Sequence, residues 1–188
     1  MTTGSKDSRK KKLPPTLEGM FFSTAQQRVG QFLATECTTA FNLRQLSTRL
    51  KGVRGLGGIP GLTEILLELE ALGLVDFVDN RRSVRFRDDN PMVPVFKIWV
   101  AVCRLENLKS VLDEISVAGI LVGAHADGTA HSGSRHELIV LTTQPDEVAR
   151  RVGQHPMAKE IKLTTVDPDD AAYKSGLERG IPLWGRKP

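Results

Sequence analysis

The sequence predicts an α+β chain made of two small folded units joined by a helix. Three observations predict it. Residues 20–90 run helix, helix, helix, hairpin; residues 90–119 keep helical spacing; beyond Gly119 the pattern becomes strand, loop, strand, helix, strand, helix. A length of 188 residues suits one domain or two small ones, each with a modest core. The expected division is a basic tail over 1–15, an N-terminal domain over 16–90, a helical connector over 91–118 and a small α/β domain over 119–188.

Composition sets the class. The chain is 40% hydrophobic and 26% charged, ordinary for a soluble globular protein. No apolar run approaches the length needed to cross a bilayer. The basic N-terminus has no apolar segment behind it and does not read as a signal peptide, so the expectation is a cytoplasmic protein without a membrane partner. Cys37 and Cys103 both lie in apolar helical patterns and read as small buried hydrophobes, not as a disulfide or a metal pair. The formal charge of +4 lies entirely in the tail, where Lys6, Arg9, Lys10, Lys11 and Lys12 stand against Asp7. That tail ends in Pro14-Pro15 and is expected to be disordered; it either grazes nucleic-acid phosphates or is simply solvated.

The first helix is expected over 24–37, with Val29, Phe32 and Leu33 on one face. Asn42 caps the second, and Gln45 three positions on completes a capping box. After the connector "GVRGLGGIPG", the third helix, "LTEILLELEALG", buries Leu62, Ile65, Leu66, Leu69 and Leu72, and Gly73 ends it. In "LVDFVDNRRSVRFRDDN" two alternating runs flank Asn80-Arg81. A two-residue turn there sets Val75 opposite Phe86, Asp76 opposite Arg85, Phe77 opposite Val84 and Asp79 opposite Arg82. Apolar then meets apolar and acid meets base.

Three small helices followed by this basic hairpin resemble the winged helix-turn-helix domain of prokaryotic regulators, and "LLELEALGLVDFVDNRRSVRF" carries most of the resemblance. The resemblance implies double-stranded DNA as partner and a homodimer as assembly, with the third helix in the major groove and the wing on the backbone. The implied contacts are Arg44, Arg49, Lys51 and Arg54 around the second helix, Thr63 on the third, and Arg81, Arg82, Arg85 and Arg87 in the wing. With Asp76 and Asp79 occupying Arg85 and Arg82, Arg81 and Arg87 are expected to be the freest wing cations. The strip Glu64, Leu67, Glu68 and Ala71 is acidic and partly apolar; it opposes phosphate and reads equally as a dimer or partner surface.

The connector, "NPMVPVFKIWVAVCRLENLKSVLDEISVAG", carries its two prolines at its start, where a first turn tolerates them. Val95, Ile98, Trp99, Val102, Leu105, Leu108 and Leu112 are spaced for burial. Trp99 reads first as core and second as a domain or dimer contact. Strands are expected at 119–124, 136–142 and 159–166, and helices near 145–153 and 168–179.

The stretch "LVGAHADGTAHSGSRHELIVLT" resembles the signature of minimal nucleotidyltransferase domains: apolar strand, Gly-Ser, basic-small-basic, Gly-Thr/Glu-Ala, then Ser-Asp-x-Asp into a second apolar strand. Gly123, Gly128, Thr129, Ala130, Ser134, Leu138 and Val140 match it, and the chain's end, "GLERGIPLWGR", resembles the family's closing segment. In that family the Gly-Ser turn binds a nucleoside triphosphate and the two aspartates hold divalent metal. Here Ala124 stands for the serine, Arg135 for the first aspartate and Glu137 for the second. A guanidinium cannot ligate a cation and repels one. The resemblance therefore implies an inactive transferase with no cofactor or metal. Arg135 either clamps a phosphate, making Gly123, Ala124, Gly128, Ser134, Arg135 and Glu137 a nucleotide-sensing site, or pairs with Glu137 or another acid in a retired one. His125, His131 and His136 lack zinc-site spacing, and His136 and Glu137 point to opposite faces of a strand.

Three functions follow from these readings. The first is a DNA-binding transcription regulator whose transferase-like domain serves assembly or ligand sensing. The second is an active protein nucleotidyltransferase with Glu137 and Asp167 holding one metal. The third is an antitoxin-like interaction module that uses the strip around Leu67 to hold a partner protein.

Overall fold

Two helices, Leu17–Phe21 (α1) and Ala25–Thr35 (α2), open the chain in a computed structural model that describes residues 16–36, 39–167 and 170–185. The basic tail, Cys37 and Pro168 lie outside the described residues. Thr24 caps α2: its hydroxyl accepts from Gln27 N–H, and the Gln27 side chain accepts from Thr24 N–H. A two-residue strand, Phe41–Asn42 (β1), runs straight into Leu43–Arg49 (α3), capped by the box of Asn42 and Gln45 that the sequence predicts.

The next helix, Gly58–Ala71 (α4), begins before the periodic run does. Pro60 fits its first turn, where no N–H is needed, and Gly57 turns the chain into it at φ 68°. The helix ends in a Schellman closure, Leu74 N–H to Leu69 C=O around a left-handed Gly73. Leu72 thereby leaves the buried face; it is 68% exposed, not buried as its spacing predicts.

Val75–Val78 (β2) and Ser83–Phe86 (β3) form the hairpin in the expected register, Val75 opposite Phe86, Asp76 opposite Arg85 and Phe77 opposite Val84. Asn80 and Arg81 both take positive φ, as a primed turn requires. β1 adds to β3, so the sheet order is β1-β3-β2.

Met92–Leu112 (α5) is shared by two cores. Its Val93, Val100 and Cys103 pack with α2, α4 and the first sheet; its Ala101, Leu105, Leu108 and Leu112 pack with the second sheet. A helix serving two cores is apolar on more than one face, so spacing alone misassigns it. Val95 (57% exposed) and Trp99 (39%) lie outside both, against their expected burial.

The second sheet comprises Ala118–Val122 (β4), His136–Leu141 (β5), Ile161–Val166 (β6) and Ile181–Trp184 (β7), ordered β6-β5-β4-β7. β5 and β6 are parallel; β4 is antiparallel to β5 and β7. α5 and Pro145–Gln154 (α6) cover one face, and Ala171–Arg179 (α7) the other. Gly119 lets β7 approach: a Cβ there would stand 2.3 Å from the Trp184 ring. No helix among the described residues is long and apolar enough to cross a membrane.

Candidate functional site

Two surfaces collect the residues singled out by sequence. The first surrounds α3 and the connector to α4. Arg44, Arg49, Lys51 and Arg54 are all exposed, and none has a carboxylate partner among the described residues. Arg44 and Arg49 lie on α3, and Lys51 and Arg54 in the connector that leads to α4, whose first turn has no side-chain cap. Thr63 adds little to read bases with, because its hydroxyl donates to Ile59 C=O at 2.9 Å.

The hairpin cations are sorted differently from expectation. Arg81 is not free: it forks onto Glu70 of α4 at 2.8 Å and lies over the Phe77 ring at 4.4 Å. Arg87 is not free either. It holds Asp89 through two bonds, and Asp76 stands 3.6 Å away. That bidentate bond holds the Asp89 carboxyl below its usual range. Arg85 keeps Asp76 as a loose partner at 3.7 Å. Arg82, expected to be tied to Asp79, has no carboxylate partner among the described residues and is exposed at the tip. Hairpin register fixes which backbones face each other, but long arginines reach past it. The strip Glu64, Leu67, Glu68 and Ala71 is exposed as predicted.

The second surface is the loop between β4 and β5. Gly123 turns the chain at φ 69°, and a Cβ there would sit 3.1 Å from the Glu137 carboxyl. The turn and Glu137 are therefore neighbours. Glu137 does not pair with Arg135; it pairs with Lys162 on the parallel strand at 3.0 Å. Asp167 follows the far end of β6, five residues beyond Lys162 and thus on the order of 16 Å along the strand. Glu137 and Asp167 cannot share one metal ion at that separation. Gly128 docks the loop on α5, where a Cβ would meet Pro94 C=O at 2.4 Å.

The remaining loop residues face elsewhere. Alternation along β5 sends His136 away from Glu137 and into the protein, where it is 1% exposed and stacks on His125 with ring centroids 3.9 Å apart. Burial, then the neighbouring His125 and Arg104, push His136 down to about 3, so it is neutral; burial also lowers His125. His136 Nδ1 has no hydrogen-bond partner among the described residues. His125 Nε2–H donates to Ser134 C=O at 3.3 Å, and the Ser134 hydroxyl accepts from His131 N–H at 3.0 Å. Ser134 and Arg135 line a cavity of about 340 Å³ with this histidine pair, the end of α2, Arg104 of α5 and Lys159. The structure thus divides the predicted ligand set: Gly123 and Glu137 on one side, Ser134 and Arg135 on the other. Sequence reasoning missed Glu36, Arg104 and Lys159 as members of that cavity; the cluster of histidines was the only local signal.

No protein-family model matches the chain, and comparison with curated proteins and with solved structures returns no match.

Proposed function

We propose that the chain is a dimeric DNA-binding regulator. Its N-terminal half acts as a winged helix-turn-helix, and its C-terminal half is a transferase-like domain used for assembly or ligand sensing, without catalysis. The observation that carries this reading is a set of four exposed cations on α3 and the connector to α4, Arg44, Arg49, Lys51 and Arg54, without a carboxylate partner among the described residues, with Arg82 at the hairpin tip. Unneutralised cations ahead of a helix start suit phosphates. The order β1-β3-β2 behind α3 and α4 supports the fold assignment. Lys162 beside Glu137 puts a positive charge where a metal-dependent transfer needs cations bound.

The assembly reading rests on an apolar groove. Leu72, Leu74, Met92, Val95, Phe96 and Trp99 line it, and Phe21 packs edge-on against Trp99 at 4.9 Å. Met20, Phe21, Leu72, Met92, Val95 and Trp99 are each between 39% and 68% exposed. At ordinary side-chain areas they expose on the order of 600 Å², the top of the range for a monomer and close to one side of a standard interface. A second copy of the chain is the occupant this area fits.

Binding of full-length protein to random duplex DNA at two salt concentrations tests the reading. We expect Arg44→Ala, Arg49→Ala and Arg82→Ala each to weaken binding across all sequences and to lower the log–log salt slope by about 0.9. Arg81→Ala and Arg87→Ala should have smaller effects, because Glu70 and Asp89 already hold those side chains. No binding at low salt would overturn the DNA reading. Transfer of a labelled nucleotide with magnesium, abolished by Glu137→Ala, would overturn the inactive one.

A further inference from the structure

The cavity between the two halves is not the turn at Gly123. β5 puts Glu137 and His136 on opposite faces, and the cavity lies on the His136 side, walled by the end of α2, α5 and the loop into β5. We infer that this cavity binds a phosphomonoester bearing hydroxyl or amino groups, of about mononucleotide size. This names the ligand for the sensing role proposed above and rests on that reading.

Charge selects the anion. Arg104 is held by Glu160 at 2.7 Å and is not available. Arg135 and Lys159 are exposed, line the same cavity, and have no carboxylate partner among the described residues. Two cations on flexible stems match a phosphomonoester, which carries roughly −1.5 to −2 near neutral pH. Glu36, at the end of α2, also lines the cavity without a cationic partner among the described residues. It repels a bare phosphate and requires a donor, which a hydroxyl or amino group on the ligand supplies.

The histidines make the wall selective. Because Ser134 C=O accepts from His125 Nε2–H, neutral His125 presents its Nδ1 as an acceptor. A volume of about 340 Å³ falls at the small end of ligand pockets, wide enough for a sugar phosphate or a mononucleotide.

Calorimetric titration of the full chain with AMP, ribose phosphate, adenosine, inorganic phosphate and a short duplex tests this. AMP and ribose phosphate should bind, with adenosine and inorganic phosphate at least about tenfold weaker. Arg135→Ala and Lys159→Ala should each weaken AMP binding about tenfold, while Lys162→Ala, on the Glu137 side, should leave it unchanged. Absence of binding by both phosphomonoesters, or equal binding by the Arg135→Ala/Lys159→Ala chain, would overturn the inference. So would a loss confined to duplex binding in that variant, which would assign these cations to nucleic-acid phosphates. Phosphomonoester binding without any duplex binding by the wild type would sink the DNA reading and leave the cavity standing.

Discussion

A chain carrying Trp99→Glu is expected to run as a monomer of 20.7 kDa where the wild type runs at twice that mass. Trp99 is the largest side chain in the exposed groove, and its ring packs edge-on against Phe21. It belongs to neither core, so the substitution should leave the fold intact. In a two-fold contact each change is made twice, and a charge facing the partner's apolar groove has no counter-ion there. Loss of a central aromatic anchor at that site should raise the dimer Kd by at least about a hundredfold. Val95→Glu, at the neighbouring exposed position, should do the same. Sedimentation or light scattering over a range of concentrations reads the result directly. A monomeric wild type, or a Trp99→Glu chain that still dimerises, would remove the groove from the assembly.

The misplacement of Trp99 shows what the sequence could and could not say. Caps, turns and alternation are local, and they were readable: the box of Asn42 and Gln45, the hairpin register, and the strands that became β4, β5 and β6. Three short elements were not. α1 has five residues, β1 has two, and β7 exists only because it pairs with β4 across sixty residues of chain. Such segments carry too few residues for a period to emerge, and tertiary pairing decides them. α5 fails for the opposite reason: it is apolar on several faces because two cores use it, and the leftover face is the groove.

The candidate sites repeat the lesson. The signature names Gly123 and Glu137, which stand side by side because Gly123 directly follows β4 and β4 pairs with β5. It did not foresee Lys162 as the partner of Glu137, because β6 is reached only after α6. Nor did hairpin register foresee Glu70 capturing Arg81 from another element. Ion pairs between distant segments decide which cations remain for a ligand, and sequence spacing does not encode them. The same holds for the junction cavity, where Arg104 and Lys159 meet a loop dozens of residues away in sequence.

The buried histidine gives that junction a measurable acid sensitivity. His136 stacks on His125, has Arg104 nearby, and lines a small recess with Lys97, which is itself paired to Asp88 at 2.6 Å. All of these oppose a further positive charge or leave it unsolvated. The folded chain therefore takes a proton on His136 only near pH 3, whereas the unfolded chain takes one near the ordinary value of about 6.5. Between those values the unfolded state binds more protons. Stability is thus full above about pH 6.5 and falls as the pH drops toward 3, by about 1.4 kcal/mol per pH unit for this group. From pH 7 to pH 5 the loss through His136 should be about 2 kcal/mol. His125, also lowered by burial, adds in the same direction. Urea unfolding of the wild type and of His136→Leu at both pH values isolates the effect, because the readout is the difference in slope and not the absolute stability of the variant. His136→Leu should lose about 2 kcal/mol less than the wild type on acidification. Equal losses would mean that His136 is solvated in the folded chain, and the closed junction between α5, β5 and the loop would have to be redrawn.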